Sequence, residues 1–60
     1  MDEVEEIWLE IVRETDGAYL VGDGDQEVWL PKSQVAIIDK KEGFSFFSIP
    51  QWLAEEKELV

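Results

Sequence analysis

The stretch Ala18-Tyr19-Leu20-Val21-Gly22-Asp23-Gly24-Asp25-Gln26-Glu27-Val28-Trp29-Leu30-Pro31 decides the reading of the fold. Residues 18–21 are short, apolar and β-favouring, and Gly22-Asp23-Gly24-Asp25 is a strong hairpin signal, because Gly and Asp reach the backbone conformations that a tight reversal needs. Residues 27–30 should return as a second strand of that hairpin. Pro31 has no N–H for a ladder, so it ends the strand or places it at an edge. Outward on the N-terminal side, Ile7, Leu9 and Ile11 alternate with Trp8, Glu10 and Val12. That period of two predicts a strand over residues 5–14 with one face turned to a core, reversed by Thr15-Asp16-Gly17. On the C-terminal side, Pro31-Lys32-Ser33-Gln34 reads as a tight turn, residues 35–40 as extended chain and Lys40-Lys41-Glu42-Gly43 as a second hairpin turn. Residues 44–49 form a fifth strand, Phe44 and Phe46 on one face and Phe47 and Ile49 on the other. Pro50 suits the first turn of a helix over residues 51–59, which would lay Trp52, Leu53 and Leu59 or Val60 across an open end of the sheet. The expected fold is mainly β: a five-stranded bent sheet or a small SH3-like barrel with a short C-terminal helix. An open sheet with a helix on one face is the rival, and composition does not choose between them.

The chain has 60 residues, which is one domain, residues 1–60. A fold this small needs a reinforcement beyond its core. With no Cys or His, disulfides, the usual zinc sites, thiol redox chemistry and His-based proton transfer are excluded. Aromatic packing and self-association remain, and three Trp, three Phe and one Tyr supply the first. Fifteen acidic and five basic residues give a formal charge of −10, which repels phosphate backbones and anionic lipid, so direct nucleic-acid binding and membrane association are not expected. Asp2, Glu3, Glu5, Glu6 and Glu10 crowd the start and Glu55, Glu56 and Glu58 the end. No apolar run approaches a membrane span and the N-terminus is acidic, which points to a soluble, cytoplasmic protein. The plain reading of the acidity is solubility.

Asp23-Gly24-Asp25-Gln26-Glu27 has the alternating carboxylates of a calcium loop, but Val28 stands where an EF-hand has its glycine and no distant bidentate Glu follows. It is read as a hairpin turn, and no metal or cofactor is expected. Lys32-Ser33 lacks the upstream glycines of a phosphate-binding P-loop. Lys32, Ser33 and Gln34 beside Trp29 still form a compact donor cluster next to a ring that could stack on a base, the candidate site for a small anionic ligand. The plain alternative is a solvated turn. Catalysis is not expected: the carboxylates fall on turns and chain ends, and Ser33 beside Lys32 is too exposed a pair to act as nucleophile and base.

Trp8, Tyr19, Trp29, Phe44, Phe46, Phe47 and Trp52 exceed what a monomer of this length can enclose. Trp8, Phe44, Phe46, Phe47 and Trp52 are therefore candidate interface residues, the alternative being one aromatic-rich core. The run Glu27-Val28-Trp29-Leu30-Pro31-Lys32-Ser33-Gln34-Val35, with Ala18-Tyr19-Leu20-Val21 before it and Ile49-Pro50-Gln51-Trp52-Leu53-Ala54-Glu55-Glu56-Lys57 after it, resembles short uncharacterised proteins of bacteriophages, prophages and other bacterial mobile elements. The resemblance spans roughly residues 14–60 and implies a phage-type origin in a bacterial host cell; it carries no functional residues over. Two functions are expected from these features: a self-associating module that sequesters a small anionic ligand, such as a nucleotide signal of host defence, or an acidic inhibitor or nucleic-acid mimic that blocks a basic site on a host protein. A structural homo-oligomer is the third.

Overall fold

The computed structural model describes residues 3–60, so Asp2 lies outside the described residues. Strands β1 (Val4–Glu14), β2 (Ala18–Gly22) and β3 (Glu27–Pro31) are followed by a 3-10 turn (Lys32–Gln34), strands β4 (Ala36–Lys41) and β5 (Phe44–Pro50), and helix α1 (Gln51–Glu56). The expected elements form in the expected order. All strands join one antiparallel sheet in the order β3-β2-β1-β5-β4, which is bent but not closed, so β3 and β4 are its edges. Of the two expected forms, the bent sheet and the closed barrel, the chain adopts the bent sheet with its short C-terminal helix. Pro31 is accordingly tolerated at the end of an edge strand.

The long strand β1 lies at the centre, third of the five strands, and pairs with β2 along its second half and with β5 along its first. Its alternation assigns the two faces. Ile7, Leu9 and Ile11 turn inward with Ser45, Phe47 and Ile49 of β5, while Glu6, Trp8 and Glu10 turn outward opposite Ser48, Phe46 and Phe44. Leu9, Val21, Leu30, Phe47, Ile49, Leu53 and Ala54 form the buried core, with Tyr19, Val28, Val35, Ile37 and Leu59 packed around it. Each large apolar side chain withdrawn from water in this way contributes about 1.5–3 kcal/mol. The bend is visible in one contact: Tyr19 of β2 meets Phe47 of β5 edge to face at 5.5 Å, although β1 lies between those strands. Register shifts between Ile11 and Arg13 and between Ile37 and Asp39 insert Val12 and Ile38 as extra residues, and such bulges sharpen strand twist.

The chain crosses from one sheet edge to the other through the 3-10 turn, which is tied to the β1–β2 hairpin by the Lys32 N–H donating to Gly17 O at 2.9 Å. At the other end of β1 the Gln51 N–H donates to Glu3 O at 2.8 Å and starts α1. The helix is shorter than the residues 51–59 expected. Glu58 takes a left-handed conformation (φ 59°), and the N–H groups of Glu58 and Leu59 donate back to Glu55 O and Ala54 O. This pattern terminates helices and turns Leu59 toward the core. The facing of α1 also differs from expectation: Leu53 and Ala54 are buried, whereas Trp52 is 56% exposed. Consecutive helical residues point about 100° apart, so a helix this short buries one narrow stripe. Among the described residues, no helix is long and apolar enough to cross a membrane.

Candidate binding face

The outer face of the sheet carries the aromatic rings that the core leaves out. Trp8 and Phe46, directly opposite each other on β1 and β5, stack with centroids 4.7 Å apart and planes inclined by 22°. Trp8 is nevertheless 42% exposed, and Phe44, two residues along β5, is 49% exposed. Ring pairs of this kind are stabilising in their own right, so they hold a flat apolar surface open to solvent without needing a partner to order it. The chemistry of the rim follows from the same alternation. Glu6 and Glu10 flank Trp8 along β1, Glu10 lies opposite both Phe44 and Gly22, and Asp39 lies opposite Phe46. Two cations stand at the margins: Lys41 opposite Phe44, and Arg13 opposite Leu20.

Beside this platform a depression of about 500 Å³ opens over Glu10, Val12, Gly22, Gly24, Asp25, Gln26 and Glu27. Gly22 places no side chain on its floor, and three carboxylates border it. The loop forming one wall is fixed internally. The Asp23 carboxylate accepts from the N–H groups of Asp25 and Gln26 at 2.9 and 3.0 Å, which holds its pKa below the ordinary carboxylate value of 3.8. Those bonds give Asp23 a structural task as the cap of its own turn. Gln26 reaches across to α1, its Nε2 donating to Lys57 O and Glu58 O at 3.2 and 3.0 Å.

The cluster expected to hold an anion is arranged differently. Trp29 is 43% exposed on the outer face opposite Leu20, while the Lys32 ammonium lies on the concave side, 5.0 Å above the Tyr19 ring and 2.6 Å from Glu14 Oε2. Trp29 shares its face with Leu20, whereas Lys32, in the 3-10 turn, contacts Tyr19 and Glu14, which pair on the other face, so the ring and the lysine address opposite sides of the sheet. The hydrogen bond from Lys32 to Glu14, more than the negative charge of Glu14 alone, raises the lysine pKa above its ordinary 10.5. Ser33 and Gln34 are exposed, and no side-chain hydrogen bond caps the turn. Among the candidate interface residues, Trp8, Phe44 and Phe46 share the outer face and Trp52 is exposed on α1. Phe47 is corrected: it is fully buried, because its parity on β5 is that of Ser45 and Ile49. What the sequence reading omitted was the acidic rim. Glu6 and Glu10 were available to it, standing two residues either side of Trp8 in a period-two strand, but Glu27 and Asp39 come beside the face only through strand pairing, and Asp25 only through the fold of the β2–β3 loop.

No curated protein and no solved structure matches the chain. Residues 6–44, from the third residue of the central strand to the first residue of β5 and well over half of the sequence, match the S1 domain family. With that span covering most of β1, all of β2, β3 and β4 and the turn into β5, the chain belongs to the S1 domain family.

Proposed function

We propose that this S1 domain is a non-enzymatic binding module that docks on a basic surface of a partner protein through the outer face of its sheet. One observation carries the reading: Trp8, stacked on the half-buried Phe46, remains open to solvent and is bordered by Glu6, Glu10 and Asp39. S1 domains often bind nucleic acid, and a stacking platform serves that purpose when the surrounding charge is positive. Here the net charge is −10 and the residues nearest the rings are carboxylates, which favours a cationic partner and opposes phosphate. The absence of His and Cys supports binding over catalysis. A second copy of the chain is a less favourable occupant, since an isologous pairing of this face would bring the Glu6 and Glu10 rows together. The likeness to phage and mobile-element proteins makes a bacterial host protein the partner in this reading, with the cytoplasm as the compartment.

Family membership favours a second reading, a nucleotide or single-stranded nucleic acid on the same rings or beside Trp29 and the Lys32–Gln34 turn. Calorimetric titration separates the two. A lysine- and arginine-rich peptide should bind at low salt and weaken steeply toward physiological ionic strength, while an oligothymidylate should give no heat. Binding of the oligothymidylate with no binding of the peptide would establish the second reading and overturn the first.

A further inference from the structure

Resting on the basic-partner reading, we infer that the outer face selects arginine over lysine. The two cations differ in shape and hydration: a guanidinium is planar, weakly hydrated and forked, whereas an ammonium is a compact, strongly hydrated charge. The face offers what the planar cation uses. The exposed ring of Trp8, held flat by its stack on Phe46, is a surface on which a guanidinium lies face to face. Glu10 is next on the same strand and face, opposite Phe44 on one side and Gly22 on the other, so a carboxylate stands beside the ring to accept the guanidinium fork. The depression lined by Glu10, Val12, Gly22, Asp25 and Glu27 lies beside the ring and has room for one or two further side chains of the same segment. A lysine on this face would gain the charge attraction but neither the ring overlap nor the paired hydrogen bonds. Lys41 and Arg13 lie at opposite margins of the platform and limit the length of a cationic segment that can run across it. The occupant is thus a short arginine-bearing segment of a partner protein.

The test uses the intact chain labelled with nitrogen-15 and two nine-residue probes of equal charge, oligoarginine and oligolysine, titrated at the same ionic strength. The inference expects oligoarginine to bind at least about tenfold more tightly, with the largest shifts at the Trp8 indole and the Glu10, Phe44 and Phe46 amides. Glu10→Gln, an exposed substitution that leaves the core untouched, should reduce that preference at least about threefold, and Trp8→Ala should abolish it while the spectrum stays dispersed. Equal affinity for the two probes would overturn arginine selection and leave the basic-partner reading standing. Binding of neither would overturn both.

Discussion

Lys32 is the residue whose role changes most between the one-dimensional and the folded chain. In sequence it is a free cation in a Pro-Lys-Ser-Gln turn; in the fold its ammonium is shared between Glu14, eighteen residues away, and the face of Tyr19. Nothing local announces that contact, because it depends on the β1–β2 hairpin and the end of β3 arriving side by side. The pH dependence follows from the direction of its shift. A lysine whose pKa is raised on folding contributes stability that is present below 10.5 and lost as pH rises through the folded value. Denaturant midpoints should therefore fall above pH 10.5, and Glu14→Gln should remove the part due to this pair. Asp23 runs the other way: its lowered pKa contributes stability above 3.8 that is lost as pH falls through the folded value. Asp23→Asn should make the loss of stability below pH 3.8 shallower, measured by urea titration; an unchanged acid limb would remove Asp23 from the account.

At the scale of elements, strands were legible and endings were not. Alternation in β1 and the Gly-Asp reversal after β2 act locally, so their physics is present in the sequence window. The end of α1 is not local in that sense. Glu58 adopts the conformation usually left to Gly, held there by the packing of Leu59 and the two bonds from Gln26. A non-Gly residue in this conformation costs about 1–2 kcal/mol, partly offset in a Gly variant by the greater freedom of its unfolded chain. Glu58→Gly should thus stabilise the protein by about 0.5–1 kcal/mol in chemical denaturation. The opposite change applies in the two-residue turn Glu42-Gly43, where both residues have positive φ. Gly43→Ala, at φ 87°, should destabilise by about 1 kcal/mol or more, although a β-carbon there would meet nothing within 4 Å. The bulges at Val12 and Ile38 carry no sequence signal, since neither position has a Gly or Pro to mark it.

For the whole molecule, the surplus of aromatic residues over core volume was the most informative feature of the sequence. It implied that some rings lie outside the core, as Trp8, Trp29, Phe44 and Trp52 do, but not which, because parity along β5 sends Phe47 inward and Phe44 and Phe46 outward. Core and face should respond differently to truncation. A 60-residue domain has roughly 3–9 kcal/mol of stability, and Phe47→Ala should remove about 3–5 kcal/mol, enough to unfold much of the population. Trp52→Ala, at a side chain more than half exposed, should cost much less and leave a cooperative thermal transition. The open sheet gives the molecule two distinct surfaces: a concave side filled by its own core, and an outer side where Trp8, Phe44 and Phe46 stand among carboxylates. The measurement that tests the central claim most directly is amide chemical-shift mapping of the intact chain with a lysine- and arginine-rich peptide, followed by a nucleotide panel. The account predicts peptide-induced shifts confined to Glu6, Trp8, Glu10, Phe44 and Phe46 and lost on adding salt. Shifts gathered instead at Lys32, Ser33 and Gln34, produced by a nucleotide while the peptide leaves the spectrum unchanged, would contradict it.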